Sequence, residues 1–246
     1  GSLRQAMTSA TAAFTGHHNI SFNIPLSDEG FDAETGTFTI RLQSELPYLL
    51  IAGNITIDAT TQTANVGNTN PLGPEIVLDG GDMSLMSCFR IASANNTLKG
   101  FCIGGFQYAV LLFGANGGTI RDCYLGTAAD GVSPFPNQYG IGLSGGTYGA
   151  YSLGYAHNVL IMNNVISGNT AAGIGLEGNG TRENVIVGNK IGTSATGNLP
   201  LSNHYGIVVM SNANRNRIGG TSPAERNIIS ANTEIGIYIE SADSNV

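Results

Sequence analysis

The sequence predicts an all-β protein, a parallel β-helix solenoid of short strands with a short N-terminal capping helix. Three observations carry this reading. Of 246 residues, 35 are glycine and 25 asparagine, and both are poor in helix interiors. Residues 126–141 match residues 192–207 at a constant offset of 66, with nine identical positions. The apolar segments between the glycines and asparagines run three to five residues, too short for helices and right for strands.

The first element is the helix, expected within residues 1–15. Ser2 and Gln5 have capping-box spacing, and Leu3, Ala6, Met7, Ala10 and Phe14 share one helical face. A solenoid's first turn exposes a strand edge and an open core, which such a helix covers. Residues 19–94 follow as irregular early turns, among them Phe38–Leu42 and Leu49–Asp58. Residues 95–246 carry the regular turns. Their punctuation is a Gly-Ile-x-Leu strand, starting at Gly140, Gly173, Gly206 and, as Gly-Ile-x-Ile, at Gly236, with spacings of 33, 33 and 30. The 66-residue match is therefore two copies of a smaller unit.

One unit holds Val159-Leu160-Ile161, Asn164-Val165-Ile166 and Gly173-Ile174-Gly175-Leu176; the next holds Val185-Ile186-Val187, Lys190-Ile191-Gly192 and Gly206-Ile207-Val208-Val209. About seven such turns at strand spacing make a rod on the order of 35 Å long. Asn164 and Asn189 stand at equivalent bends, in Ile-x-x-Asn-x-Ile. Asparagine there tolerates left-handed backbone and can stack on the next turn's amide as a ladder. Cys88, Cys102 and Cys123 are an odd number without zinc-type spacing, read as buried thiols acting as small hydrophobes, with one bridge and a cysteine left over as the lesser option. The chain stops at Val246 after a normal repeat, so continuation beyond it, or a second molecule covering that edge, is expected.

Ser-Leu-Arg-Gln-Ala at 2–6 resembles the Ser-Leu-Arg-Glu-Ala signature of bacterial secreted β-helix repeat proteins, the CSLREA-type group. Asn216-x-Ile218-Gly219-Gly220-Thr221, the stretch from Arg226 to Asn232, Ile191-Gly192-Thr193 and Thr56-Ile57-Asp58-Ala59 are similar to repeats such proteins carry. The chain departs from the group at Gly1, usually cysteine, and Gln5, usually glutamate. The resemblance spans essentially the whole chain. It implies a right-handed, single-stranded β-helix, secreted or on a bacterial cell surface, and little about chemistry.

Charge and motifs exclude more than they assign. A formal charge of −7 offers no basic footprint for nucleic acid, and no apolar run is long enough for a membrane-spanning helix. Glycoside hydrolysis needs two facing carboxylates, and the paired-aspartate and Gly-His-Gly patterns of pectin-hydrolysing β-helices are missing, as is Asp-Pro-His-Glu. The remaining catalytic candidates are Asp79, Asp82, Arg121 and Asp122, each with a bland alternative as a turn residue or local ion pair. His17 and His18 are a weak metal hint. No cofactor is expected; Ca²⁺ stays open without a supporting motif.

The informative irregularity is an insertion. Leu143 to Ile161 spans 18 residues, against 9 from Val209 to Ile218. Its Tyr148, Tyr151 and Tyr155, with Phe135 in the loop before, form the candidate ligand-binding set. Solenoid insertions map to loops on one face, often the binding face, and tyrosine suits stacking on sugars or proteins. The alternative folds these rings back onto the rod. A non-catalytic structural or adhesive module is expected first, with a polysaccharide or cell-surface partner. A polysaccharide lyase, hydrolase or epimerase, and a fibre subunit associating end to end, are the competing readings.

Overall fold

A computed structural model describes residues 1–13, 16–82, 84–148 and 151–246, with the backbone alone described for Thr147, Tyr148 and Tyr151. Three sheets share the strands, and the chain visits them in rotation. The first sheet has seven strands: His18–Ser21, Ile55–Asp58, Thr97–Lys99, Thr119–Arg121, Leu160–Met162, Val185–Val187 and Arg217–Ile218. The second has eight: Phe31–Asp32, Thr37–Arg41, Ile76–Asp79, Phe101–Gly104, Tyr124–Leu125, Val165–Ile166, Lys190–Ile191 and Ile228–Ile229. The third orders Ser87–Ile91, Tyr108–Phe113, Tyr139–Tyr148, Ala172–Glu177, Tyr205–Met210 and Ile235–Ile239, with Tyr151–Tyr155 paired onto Tyr139–Tyr148. Neighbours pair parallel, except the two hairpins Phe31–Asp32 with Thr37–Arg41 and Tyr139–Tyr148 with Tyr151–Tyr155. The fold is mostly β, with parallel sheets of seven and eight strands.

Register stacks like on like. The first sheet aligns Ile57, Leu98, Ile120, Ile161 and Ile186, and all are buried. The third aligns Phe89, Val110, Ile141, Ile174 and Ile207 in one buried column and Leu112, Leu143, Leu176 and Val209 in another. With a side-chain period of two, a slip of one residue would turn each column outward, so burial fixes the register. Each fully buried Ile or Leu contributes about 1.5–3 kcal/mol. Strands from residues 18–91 extend the same three sheets as the regular region, so the sheets run unbroken through residue 95.

The first helix spans Leu3–Ala12; the Gln5 amide donates to the Ser2 hydroxyl at 3.2 Å, and Met7 and Ala10 are buried in the core. Phe14 lies outside the described residues. A second helix, Thr61–Val66, is not foreshadowed by the repeat. Its fully buried Gln62 donates to the Ile24 carbonyl and accepts the Ile24 amide, both at 2.8 Å, and so stands in for a strand neighbour.

Asparagine columns occupy the bends. Between the first and second sheets, Asn164 donates through its backbone and its side chain to Asn189 Oδ1, each at 3.0 Å, and Asn189 does the same to Asn227. Between the second and third, Asn137, Asn169, Asn203 and Asn232 form a second chain of amides. Between the third and first, Asn184, Asn216 and Asn245 form a third. The expectation that the laddering asparagine itself takes the left-handed backbone needs correction. The residue before it does so: Asn163 at φ 57° and Gly188 at φ 68° precede Asn164 and Asn189. That sharp bend turns the following amide side chain inward to its partner.

The repeated glycine also has a spatial reason. A methyl group on Gly140, Gly173 or Gly206 would sit 2.6, 2.7 or 2.3 Å from the next circuit's glycine carbonyl. Only the absence of a side chain lets the backbones approach so closely. The three cysteines are free thiols in the interior.

Candidate ligand-binding groove

The third sheet carries a groove on its outer face because of what its outward positions lack. In Gly-Ile-x-Leu, the Ile and Leu point in and x points out. That outward column reads Leu111, Gly142, Gly175, Val208 and Tyr238 in neighbouring strands. A parallel column at the strand starts reads Tyr108, Tyr139, Ala172 and Tyr205. Small residues therefore fall together at Gly142, Ala172 and Gly175, flanked by large ones. The resulting groove encloses about 340 Å³, near the lower end for a small-molecule site.

Its walls are aromatic. Tyr108 and Tyr139 stack with centroids 4.8 Å apart and planes 10° apart, so their rings keep the strand spacing. Tyr205 meets His204 edge-on at 4.7 Å and Tyr238 at 6.0 Å. The Tyr108 ring covers Gly142, whereas nothing stands within 4 Å of where a Gly175 side chain would begin. Gly175 is the open floor, while Ala172 beside it is buried.

Ser144 and Glu177 line one end, and Glu177 is the one carboxylate among the described lining residues. Burial raises the Tyr108 hydroxyl above its ordinary pKa, helped by Tyr139 and the Glu177 charge. A hydrogen bond to Glu240 does the same for Tyr238. No lysine or arginine is among the described lining residues. Arg90, in register with Leu111, is buried and committed elsewhere: it pairs with Glu45 at 2.6 Å, donates to the Tyr48 hydroxyl and lies 3.6 Å over the Tyr48 ring.

The tyrosine insertion is a hairpin rather than a loop. Gly145 pairs with Tyr155 and Gly146 with Gly154, extending the strand past the sheet. Tyr148 and Tyr151 oppose one another at its tip, and their side chains lie outside the described residues. The Tyr155 ring folds back onto the next circuit, where methyl groups on Gly178 and Gly180 would stand 2.3 and 2.4 Å from it. It borders a shallow depression shared with Ser144, Glu177, Asn179 and Asn212, next to the groove. Phe135 lies elsewhere, packed over Gly104 of the second sheet, before the strand that leads to the hairpin. Of the aromatic set, Tyr155 alone has a described side chain near the groove.

The four catalytic candidates do not line the groove. Asp79 is buried in the second sheet, paired with Arg41 at 2.7 Å and accepting the Gly81 amide at 2.8 Å. Asp82 is exposed and accepts the Ser84 amide at 3.1 Å; hydrogen bonds from Ser84 hold its carboxyl below the usual range. Arg121 and Asp122 pair with each other at 2.8 Å at the end of a first-sheet strand. Two different sheets thus hold Asp79 and Arg121. His17 bonds Asn19 and Thr56. No group of three or more His, Cys, Asp or Glu residues gathers at metal-binding distance among the described residues.

Tyr108, Gly175 and Ala172 are inconspicuous in the sequence. The available signal was the x of Gly-Ile-x-Leu, which is glycine twice and then large twice, with alanine replacing tyrosine one coil over.

No family model, curated protein or solved structure matches the chain.

Proposed function

We propose that this chain is a non-catalytic, adhesive module that binds carbohydrate in the groove of the third sheet. On this reading it is a right-handed, single-stranded parallel β-helix of a secreted or cell-surface bacterial protein, akin to the CSLREA-type group. The rotation of strands through three sheets and the Ser-Leu-Arg-Gln-Ala opening support the architecture, and right-handedness is the general preference of parallel crossovers.

One observation carries the functional half: a groove with open space over Gly175, lined by Tyr108, Tyr139 and Tyr205. Such rings offer flat apolar faces with a hydroxyl at the tip, the chemistry that packs against a sugar's C–H face while bonding its hydroxyls. Glu177 standing as the single carboxylate among the described lining residues supports binding over hydrolysis, which calls for two. An array of bacterial and plant glycans tests this. Tyr139→Ala and Tyr205→Ala should each weaken a hit of the parent chain by about tenfold. A chain that binds no glycan, or whose hits ignore both changes, refutes the reading.

A further inference from the structure

The aromatic groove of the third sheet meets a second, polar depression, and Ser144 and Glu177 border both. We infer that this junction is a subsite for an amino sugar with a free amine, its ring over Gly175 and its ammonium group on the Glu177 carboxylate. The inference rests on the carbohydrate reading above and names the class of sugar the groove takes.

Placement is the first argument. Gly175 and Glu177 are two residues apart on the strand Ala172–Glu177, so they face the same side of the sheet, about 6.6 Å from each other. Nothing stands within 4 Å of where a Gly175 side chain would begin. A ring resting there lies in a groove lined by Tyr108, Tyr139 and Tyr205, with the Glu177 side chain next along the floor. The carboxylate acts on that aromatic wall: after burial and the neighbouring Tyr139, the Glu177 charge helps raise the Tyr108 hydroxyl above its ordinary pKa.

Charge is the second. Glu177 is exposed, and no hydrogen bond or ion pair occupies its carboxylate among the described residues. Arg182 and Arg215, on the turns after the two strands that flank the groove, are both committed to Glu183, at 2.7 and 3.3 Å. Neither depression has a lysine or arginine among its described lining residues. His204, at the groove's other end, is turned edge-on to Tyr205 and bonded to Thr233 Oγ1 at 3.2 Å. A cation therefore finds an unpaired carboxylate in a chain of formal charge −7, whereas a uronate would meet repulsion there.

Ligand chemistry is the third. Tyrosine faces attract flat C–H surfaces and cations alike. An amino sugar carries both on one ring. A neutral sugar brings the flat face without the charge that complements Glu177. In the polar depression, Ser152, Asn179, Ser211 and Asn212 supply hydroxyls and amides to the next unit of a chain.

The test is calorimetric titration at low salt with three tetramers that share one β-1,4-linked backbone and differ at the second carbon: glucosamine tetramer (amine), chitotetraose (acetamide) and cellotetraose (hydroxyl). The proteins are the parent chain, Glu177→Gln and Gly175→Val. The glucosamine tetramer should bind the parent chain about fivefold more tightly than the other two, the strength of one accessible ion pair. That advantage should disappear in about 1 M salt. Glu177→Gln keeps the shape and removes the charge, so it should bring the three ligands to equal affinity. Gly175→Val fills the open space with the side chain found at Val208 in the next strand, and should weaken the glucosamine tetramer about tenfold with unchanged circular dichroism. No binding of the glucosamine tetramer, equal affinity for all three in the parent chain, a preference that survives Glu177→Gln, or an indifferent Gly175→Val would each overturn the subsite. Carbohydrate binding would still stand if the array gives a hit that Tyr139→Ala and Tyr205→Ala weaken. An array without hits overturns both.

Discussion

Replacing Asn189 with alanine measures what an interior rung of an asparagine column contributes. Asn189 is fully buried; its Oδ1 accepts both the amide and the side-chain Nδ2 of Asn164 at 3.0 Å. Its own Nδ2 donates to the Ile161 and Val187 carbonyls and to Asn227 Oδ1, at 2.9, 3.0 and 3.1 Å. The carbonyls are the lesser loss, since Val187 also accepts the Asn163 amide. The two Asn164 donors are stranded in the interior, each costing about 1–3 kcal/mol, so Asn189→Ala should destabilise by about 2–6 kcal/mol. Against a total stability of about 5–15 kcal/mol, that is a large share. Urea unfolding followed by circular dichroism reads the loss directly, with Asn227→Ala as the comparison. Asn227 plays the same acceptor role but is only half-buried, so water can replace it and its loss should be smaller. A cost at Asn189 below about 1 kcal/mol, or equal to that at Asn227, would mean the columns are incidental to stability.

Three further outcomes follow from the same structure. Ile174→Ala, in the middle of a buried column, should cost about 2–5 kcal/mol in the same unfolding experiment. The thiols should resist labelling by a soluble disulfide reagent at pH 8 in the native protein and react once it is unfolded: all three are buried, and burial pushes Cys123 up to about 12. Hydrogen bonds from Arg217 and Ser222 hold the Glu225 carboxyl below its ordinary 4.5. A depressed carboxyl stabilises fully above the unfolded value and loses that contribution as pH falls through the folded one. Amide exchange around Ser222 and Arg217 should therefore accelerate below pH 4.5 and return to control levels above it, and Glu225→Gln should remove the dependence.

The repeat was legible because it obeys two short-range rules. Glycine recurs where backbones of successive circuits nearly touch, and isoleucine and leucine recur where side chains point in. The asparagines were legible as bend residues, but whether 163 or 164 takes the left-handed backbone depends on which amide finds a partner one circuit away. Distance along the chain carries no such information. The second helix escaped notice because Gln62 works through the chain near Ile24, far away in sequence. The groove escaped for a related reason. Its floor and walls are single outward residues from several strands, about 33 apart, and each looks unremarkable alone. The local cluster of tyrosines is conspicuous because its members are close in sequence, but among their described side chains only Tyr155 reaches the groove's margin.

The asparagine columns have one more consequence. Each interior rung donates its backbone amide and its side-chain amide to the following rung's oxygen. Its side-chain amide also donates to a carbonyl of the preceding circuit, and its own oxygen accepts from that preceding circuit. The rung-to-rung bonds thus all point one way, a plug on one side and a socket on the other. The sequence distance between rungs varies freely: 25 residues from Asn164 to Asn189, 38 from Asn189 to Asn227. Loop length is thus decoupled from the fit between circuits. Evolution can splice in or cut out a circuit, or swell a loop such as residues 192–202, as long as an asparagine returns to the next socket. Parts joined this way fit in one direction only, which makes the molecule extensible without making it reversible.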